Sequence, residues 1–371
     1  MSPTGPSDES ALQITRAAPA ERWGTLDLRQ PAALIFNPHA GQKVGMTTNT
    51  RGLDDVQSAL RAEGIRFDTW QTEGPGHATT LAQRAAFEGY KVVIAAGGDG
   101  TLHEVARGLL NSDVVLAPLP LGSIMNLARA LWIPRDLQGA ARTIRTGQVL
   151  AIDIGRVGPH EFLEAAGVGV VAGLFGYFNK LDSSGLSLGE ARDAVQFVER
   201  VGTPDVTLEF EGGTLEVKSQ AINIANAPYV GAAVAVAPAA RLDDGLLEVT
   251  IVDHASLAHL LMHVAWRAAG RSAHAAPDMR IVRTAWLRVS VRQGEPALPV
   301  HADGDPVGDT PATFEVVPAA LRVVVGEPSG SGIRPWAPPP PRSLIRTRIG
   351  ACRSAASEAC LPKPSRGRVG R

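Results

Sequence analysis

A glycine-rich run at residues 97–101, Gly-Gly-Asp-Gly-Thr, carries the side chains that most clearly indicate chemistry. The run directly follows the apolar segment Val92–Ala96, which is typical of a buried strand, and precedes Leu102–Leu110, which has helical spacing. Glycines at such a junction leave backbone N–H groups open to an anion, and the helix dipole favours negative charge there. The run therefore predicts a phosphate-binding loop. Thr101 and Glu104 have the spacing of a capping box, which predicts that the helix begins there.

Asp99 is the candidate catalytic residue of this loop. A carboxylate beside phosphates is repelled unless a divalent cation bridges them or the carboxylate accepts a proton. The alternative is that Asp99 only caps the helix, because aspartate is a favoured capping residue. His103 has two possible interpretations, a residue that contacts a phosphate and a solvated histidine in the first turn of the helix.

Three more loops with polar residues follow predicted strands, at residues 37–41, 72–78 and 121–126. Ligands of open parallel sheets bind beyond the carboxyl ends of the strands. We therefore expect all four loops to converge on one crevice. The Asn37 side chain could bond either a phosphate or its own loop. Ser123 and Asn126 are the polar candidates for ligand contacts in the loop at residues 121–126.

Short apolar strands alternate with helical segments up to about residue 150, which predicts a parallel sheet covered by helices. The predicted strands are Ala32–Phe36, Phe67–Thr72, Val92–Ala96 and Val114–Leu119; the predicted helices are Leu53–Glu63, Ala78–Glu88, Leu102–Leu110 and Asn126–Leu131. Beyond residue 152 the segments are rich in strands, which predicts an antiparallel β-domain with one helix, Ser256–Ala269. The predicted strands there are Val206–Phe210, Leu215–Ala225, Leu247–Val252, Met279–Val291 and Thr313–Val325, with a hairpin turn at residues 211–214.

The expected organisation is a flexible leader (1–30), an α/β domain (31–152), a β-rich domain (153–326) and a disordered tail rich in proline and arginine (327–371). The basic tail has a second interpretation, an electrostatic tether to anionic lipid headgroups.

The net charge of -1 gives no field that would favour nucleic acid. No apolar run is long enough to span a bilayer, and the first residues do not have the pattern of a secretory signal. Both cysteines, Cys352 and Cys360, lie in the tail, so a reducing cytoplasm is expected.

Several motifs, in this order along the chain, resemble the diacylglycerol kinase catalytic-domain family, which includes bacterial lipid kinases, sphingosine kinases and ceramide kinases. The matching segments are residues 37–41 (Asn-Pro-His-Ala-Gly), 97–104 (Gly-Gly-Asp-Gly-Thr-Leu-His-Glu), 120–129 with Ser123, Asn126 and Arg129, 166–169 (Ala-Gly-Val-Gly), 242–249 (Leu-Asp-Asp-Gly-Leu-Leu-Glu-Val) and 302–305 (Ala-Asp-Gly-Asp). The resemblance implies a Rossmann-like parallel-sheet nucleotide domain followed by an antiparallel β-rich domain, in a two-domain lipid kinase architecture. It further implies ATP as co-substrate, Mg²⁺ as cofactor, a membrane lipid as acceptor, and a cytoplasmic protein in peripheral contact with the membrane. A homodimer is left open.

The resemblance also assigns roles to particular residues. The implied ATP contacts are Asn37, Thr72, Gly97, Gly98, Asp99, Gly100, Thr101 and Ser123. A structural magnesium is implied at Asp244 with the backbone carbonyls of Arg241 and Leu246, and the alternative is a plain β-turn. Independently of the resemblance, the tails of a lipid acceptor need an apolar slot. The candidate is an apolar segment that contains Phe175, Tyr177 and Phe178, whose alternative role is domain core.

This sequence departs from the family pattern in three places. Ser123 replaces a threonine and retains the hydroxyl, and residues 39–40, His-Ala, replace a more usual serine. Asp305 stands where bacterial members have a catalytic glutamate, so the base is either Asp305 or Asp99. The alternative functions are a kinase like NAD kinase or phosphofructokinase that acts on a soluble acceptor, and a non-catalytic nucleotide sensor. Gly167, Gly169 and Ala172 also match a dinucleotide fingerprint of oxidoreductases, after a short strand.

Overall fold

The computed structural model describes residues 22–43, 46–47, 51–173, 187–230, 237–253 and 279–327. The strands of the first half are β1 (Arg22–Thr25), β2 (Ala32–Phe36), β3 (Gln42–Lys43), β4 (Met46–Thr47), β5 (Phe67–Gln71), β6 (Val92–Gly97) and β7 (Val115–Pro120). The helices are α1 (Leu53–Ala62), α2 (His77–Phe87), α3 (Asp99–Leu109), α4 (Asn126–Ala130), α5 (Leu137–Thr146) and α6 (Leu188–Val201). Among these described residues, no helix is both long and apolar enough to cross a membrane.

The first half contains the expected parallel sheet, with strand order β5-β2-β6-β7. Every residue of β2 and of β6 is buried, whereas the edge strand β5 is only partly covered. Continuous apolar strands of this kind are buried on both faces, because helices cover a parallel sheet from both sides. Buried side chains on one face of α3, such as Leu102, Val105 and Leu109, anchor that helix on the sheet.

The second half is the expected antiparallel region. Its strands are β8 (Gln148–Val157), β9 (His160–Phe162), β10 (Ala165–Gly169), β11 (Asp205–Phe210), β12 (Gly213–Ala225), β13 (Leu247–Asp253), β14 (Met279–Thr284), β15 (Trp286–Val291), β16 (Pro299–Ala302), β17 (Asp305–Asp309) and β18 (Ala312–Val325). Fully buried Phe162, Phe314 and Ile222 belong to its core. Strand β18 pairs antiparallel with β8 and parallel with β7, so the two halves share one continuous sheet. The domain boundary near residue 152 remains a prediction.

Two predicted boundaries are wrong. Helix α3 begins at Asp99 with Gly98 as its N-cap, three residues before the expected start, so Thr101 is inside the helix. The expected strand Met279–Val291 is divided at Ala285, because the buried Thr284 hydroxyl donates to the Trp286 carbonyl at 2.8 Å and bends the chain. The strand before the bend, β14, pairs with β13, whereas β15 pairs with β11 and β18. Apolar periodicity continues through the bend, so the pattern could not reveal this change of partner.

The structure also bears on three further expectations, those of the leader, the hairpin and the dinucleotide fingerprint. Strand β1 lies within the expected leader and pairs with β8. The hairpin between β11 and β12 is present, with a tight turn at residues 211–212. Strand β10 is antiparallel to both of its neighbours, so the fingerprint at Gly167 and Gly169 lacks the parallel βαβ unit that a dinucleotide site requires. The predicted helix Ser256–Ala269 lies outside the described residues.

Candidate functional site

The loops that follow β2, β6 and β7 are hydrogen-bonded to one another at the carboxyl edge of the sheet. The Asn37 side-chain amide donates to the Thr101 hydroxyl at 2.8 Å, and the Asn37 N–H donates to the Ala96 carbonyl at 2.9 Å. The Leu121 N–H donates to the Gly97 carbonyl at 2.8 Å. Asn37 Oδ1 also accepts from the His39 N–H, so the Asn37 side chain bonds its own loop and α3, which was one of its two expected roles.

Asp99 joins the phosphate-loop candidate to the loop after β7. Its two carboxylate oxygens accept hydrogen bonds from the N–H groups of Met125 and Asn126, each at 2.8 Å. These N–H groups open α4, where Met125 has a left-handed φ of 59°. Asp99 therefore caps α4 rather than its own helix. It forms no ion pair with a described residue, and each of its oxygens has a further lone pair beyond the one that accepts a backbone hydrogen bond.

Two glycines permit the close approach of these loops. A Cβ atom at Gly97 would lie 2.4 Å from Thr101 Cβ, and one at Gly122 would lie 2.9 Å from Gly98 Cα. Both distances are shorter than carbon atoms tolerate. A larger residue at Gly97 would push the first turn of α3 away from the end of β6, and one at Gly122 would separate the loop after β7 from Gly98.

Glu104 has a different partner from the one expected. Its carboxylate accepts from the N–H groups of Gly76 and Ala78, at 2.8 and 3.1 Å, and thereby caps α2 across the gap between the two helices. The predicted capping box is wrong, since Thr101 bonds Asn37 and Glu104 bonds α2. As a result, α3 holds the loop after β5 as well as those after β2 and β7.

The first turn of α3 leaves backbone donors open. No described residue accepts a hydrogen bond from the N–H groups of Asp99, Gly100 or Thr101, and the first helical bond of α3 joins the Leu102 N–H to the Gly98 carbonyl. Thr72 is buried at the end of β5, and its N–H bonds the Phe36 carbonyl. Ser123 is half-buried and its carbonyl accepts from Arg135. The predicted nucleotide contacts therefore lie on neighbouring loops around the start of α3.

His103 lies on α3, four residues after Asp99, and is buried between two carboxylates. Its Nε2 is 3.2 Å from Glu164 Oε1, an ion-pair contact without the alignment of a hydrogen bond, and its Nδ1 is 3.6 Å from Asp303 Oδ2. The exposed fractions of the three side chains are 13%, 8% and 2%. Neither a phosphate contact nor a solvated histidine describes this position.

Burial and charge oppose each other at this cluster. Burial alone lowers the pKa of His103, but the negative charge of Asp303 and the contact with Glu164 outweigh it and raise the pKa to about 9. Burial raises the pKa of Glu164 above its ordinary value, although the facing imidazole opposes this shift. The imidazole is therefore a cation at neutral pH that compensates buried negative charge.

Asp303 and Asp305 have different environments although they share one hairpin. Asp303 and Gly304, with φ of 47° and 94°, form the tight turn between β16 and β17. The Asp303 carboxylate accepts from the N–H groups of residues 163, 164 and 165, at 2.7, 2.9 and 3.1 Å. Asp305 is 75% exposed, and its nearest cation is Arg107 of α3, at 3.8 Å. Asp303 is therefore a structural group, and Asp305 is open to a ligand.

The turn predicted to hold magnesium is already balanced by charges of the protein. Asp244 Oδ2 is 2.6 Å from Arg283 Nη2, and Asp244 Oδ1 accepts from the Leu246 N–H at 3.2 Å. Buried Asp153 holds the same turn through the Gly245 N–H at 2.7 Å, and burial raises the pKa of Asp153 to about 6. The described residues contain no group of three or more His, Cys, Asp or Glu side chains arranged to hold a metal. These contacts are typical of a turn stabilised by the protein's own groups rather than of a metal site. The magnesium at Arg241, Asp244 and Leu246 stays a prediction.

The predicted lipid-tail residues Phe175, Tyr177 and Phe178 lie outside the described residues. Sequence reasoning missed Glu164 and Asp303 as members of the site. The signal was present in part, because Asp303 belongs to the quoted motif at 302–305 and Glu164 immediately precedes an apolar strand. An acid at the start of a buried strand requires a partner, and that partner, His103, lies 61 positions away from Glu164 along the chain.

Comparisons with known proteins agree with this architecture. Residues 31–157 match the family model described as the diacylglycerol kinase catalytic domain. Residues 180–325 match the model described as the YegS C-terminal NAD kinase beta sandwich-like domain. A diacylglycerol kinase of Bacillus subtilis is 29% identical over 298 residues, which cover 79% of this chain and 96% of the relative. A diacylglycerol kinase of Staphylococcus aureus is 30% identical over 236 residues, which cover 63% of this chain and 74% of the relative.

Solved structures share the fold. A putative diacylglycerol kinase from Bacillus anthracis aligns with a TM-score of 0.64 at 22% identity, over 80% of this chain and 97% of that one. A second crystal structure, of a diacylglycerol kinase from the same organism, aligns with a TM-score of 0.62 at 20% identity. The parallel sheet joined to an antiparallel region, the ordered motifs and these matches together show that the chain belongs to the diacylglycerol kinase catalytic-domain family.

Proposed function

We propose that this protein is an ATP-dependent lipid kinase that transfers the γ-phosphoryl group of ATP to a hydroxyl group of diacylglycerol or a related lipid. The observation that carries the proposal is the hydrogen-bonded set of strand-end loops around Asp99, next to a hairpin with an exposed carboxylate, Asp305. The relatives named diacylglycerol kinase support the same activity.

The nucleotide phosphates would lie at the start of α3. The open N–H groups of Asp99, Gly100 and Thr101 lie in the first turn of α3, at the helix N-terminus, where the helix dipole favours phosphate. Ser123 and Thr72 lie on the adjoining loops and can donate hydroxyl hydrogen bonds. Asp99 fits a magnesium ion that accompanies ATP, because its carboxylate has no described cationic partner and oxygen ligands suit this cation. Magnesium would supply positive charge that offsets the charge of the β- and γ-phosphates.

Asp305 is the better candidate for the general base. A base must reach the acceptor hydroxyl, and the Asp305 side chain is exposed whereas both oxygens of Asp99 already accept backbone hydrogen bonds. In the transfer, the acceptor oxygen bonds the γ-phosphorus, the bond to the bridging oxygen of ADP breaks, and the hydroxyl proton passes to Asp305. Aspartate is one methylene shorter than the family's glutamate, so either the hydroxyl approaches β17 more closely or a water molecule bridges the hydroxyl and Asp305.

The lipid would bind from the membrane surface. Phe175, Tyr177 and Phe178 remain the candidate contacts for its tails, and the basic residues beyond 327 remain the candidate tether in a peripheral contact at the cytoplasmic face.

The test is transfer of labelled γ-phosphate from Mg-ATP to a panel of diacylglycerol, ceramide, a sphingoid base, phosphatidylglycerol, NAD and fructose 6-phosphate. Asp305→Ala is compared with the wild type and with Asp309→Ala, which removes an exposed carboxylate from the same strand. We expect label in a lipid, retained in Asp309→Ala and reduced on the order of 10²–10⁴-fold in Asp305→Ala, as for loss of a general base.

Other outcomes assign other functions. Label only in NAD or in the sugar phosphate would replace the lipid kinase by a kinase with a soluble acceptor. Binding of ATP without transfer to any acceptor would favour a nucleotide sensor. Lipid phosphorylation that Asp305→Ala leaves intact would return the role of base to Asp99.

A further inference from the structure

Helix α3 contacts the β16–β17 hairpin at two points. His103 faces Asp303 at 3.6 Å, and Arg107 faces Asp305 at 3.8 Å. The two cations are four residues apart and therefore lie on one face of the helix. Asp303 lies in the tight turn of the hairpin, and Asp305 begins the strand that follows the turn. The helix that begins at the phosphate-loop candidate thus makes two ion-pair contacts with the hairpin that carries the candidate base.

The contact made by His103 is the buried one. Its side chain is 13% exposed and Asp303 is 2% exposed, whereas Arg107 and Asp305 are 37% and 75% exposed. Exposed ion pairs contribute little because water and salt screen them, and buried ones are screened much less. Of these two contacts, the one made by His103 therefore contributes more to the position of the hairpin relative to α3.

The carboxylates around His103 are fixed by other parts of the site. Asp303 accepts three backbone hydrogen bonds from residues 163–165, and its own N–H donates to the Ala165 carbonyl at 2.9 Å. Glu164 accepts from the Asn126 side-chain amide at 2.8 Å, and the Asn126 N–H is held by Asp99. A chain of contacts thus runs from the candidate phosphate loop through α4 and Glu164 to His103 and the hairpin.

We propose that His103 is a positioning residue, whose buried imidazole between Glu164 and Asp303 holds the β16–β17 hairpin at the distance from the phosphate loop at which Asp305 meets the acceptor hydroxyl. This inference rests on the proposed function. His103 does not touch the substrates. It acts through Asp303, which continues directly into the turn before Asp305. Loss of the imidazole would leave two buried carboxylates facing each other, and their repulsion would displace the hairpin.

The test compares His103→Gln with the wild type and with His160→Gln, the same replacement at an exposed histidine on β9. Steady-state kinetics with Mg-ATP and the accepted lipid are measured together with hydrogen exchange of the backbone amides. We expect kcat of His103→Gln to fall 10- to 100-fold with KM for ATP within threefold of wild type, because the phosphate contacts remain. The amides of residues 163–165 and 299–309 should exchange at least tenfold faster than in the wild type. The exchange rates of amides in the parallel strands β2 and β6 should not change.

A charge-balanced variant separates positioning from simple loss of stability. His103→Gln with Glu164→Gln removes the cation together with one of its two anions, so the two amides can bond each other without net repulsion. We expect this double variant to recover at least fivefold of the lost kcat and most of the amide protection. It also serves if His103→Gln alone does not fold.

The outcomes separate this inference from the proposed function. If the wild type phosphorylates no acceptor, the proposed function fails. Unchanged hydrogen exchange of the amides of residues 299–309 in the variants would then show that His103 does not hold the hairpin, and would overturn this inference as well. If the wild type is active, a His103→Gln enzyme within threefold of wild-type kcat overturns the inference. A lowered kcat without faster exchange of the hairpin also overturns it, because His103 would then act by another route.

Discussion

The charge of His103 should make the free energy of unfolding depend on pH in a defined window. Although desolvation lowers the pKa of His103, the carboxylates of Asp303 and Glu164, with Asp99 further away, raise it from 6.5 to about 9. A pKa that is higher in the folded state stabilises the protein fully below the unfolded value, and this stabilisation disappears as the pH rises through the folded value. The window is therefore pH 6.5 to about 9.

The magnitude follows from the size of the shift. Each pKa unit corresponds to about 1.4 kcal/mol, so the step from 6.5 to about 9 is worth about 3 kcal/mol. His103→Gln cannot gain this charge. The gap in unfolding free energy between wild type and His103→Gln should therefore be largest at and below pH 6.5 and should shrink by about 3 kcal/mol up to pH 9.5.

The assay is urea unfolding of both proteins at half-unit steps from pH 6 to 10, with His160→Gln as the control. Subtracting one curve from the other removes the titration of groups that both proteins share. Glu164 is the exception, because its pKa is coupled to His103, so His103→Gln/Glu164→Gln is measured as well. A gap that stays constant across the window would show that His103 is not charged in the folded protein, and would refute the reasoning.

Two other substitutions test contacts of the loops. Gly97→Ala would place a Cβ atom 2.4 Å from Thr101 Cβ and should weaken ATP binding at least tenfold, measured by titration calorimetry; Gly189→Ala, where the nearest atom is 3.9 Å away, should bind normally. Equal affinities would show that the loop tolerates a wider spacing. Glu104→Ala removes the cap of α2 and should lower the free energy of unfolding by about 1–2 kcal/mol, measured as a lower urea midpoint at unchanged m-value, whereas exposed Glu199→Ala should leave both unchanged. A Glu104→Ala protein as stable as the control would mean that solvent caps α2 equally well.

The local pattern of the chain predicted the parallel half of the fold closely. Strand β2 was predicted to the residue, and α1, α2 and α4 within one residue at each end. These elements are strongly apolar or strongly periodic, and glycines or polar residues separate them. The convergence of the strand-end loops also followed from the sequence, because parallel strands in neighbouring order must end at one edge.

The partners of the polar side chains did not follow from the sequence. Glu104 has the right spacing to cap its own helix, yet it caps α2, because α2 and α3 pack side by side and bring Gly76 within reach. Asp99 likewise caps α4 instead of α3. A carboxylate can satisfy any nearby N–H group, so the choice depends on which helix ends the fold brings together.

By itself, then, the sequence determined the fold class, the order of the motifs and the position of the candidate phosphate loop, since each depends on residues within a few positions of one another. Only the tertiary structure decided which acid is exposed and which is structural. Asp303 and Asp305 are two residues apart, but one is buried beside His103 and the other is open to a ligand. Asp303 is covered by His103 and by the backbone of residues 163–165, which lie far from it in the chain, whereas Asp305 has only the partly exposed Arg107 beside it. Burial and charge are set by what packs against a residue and not by its neighbours in sequence.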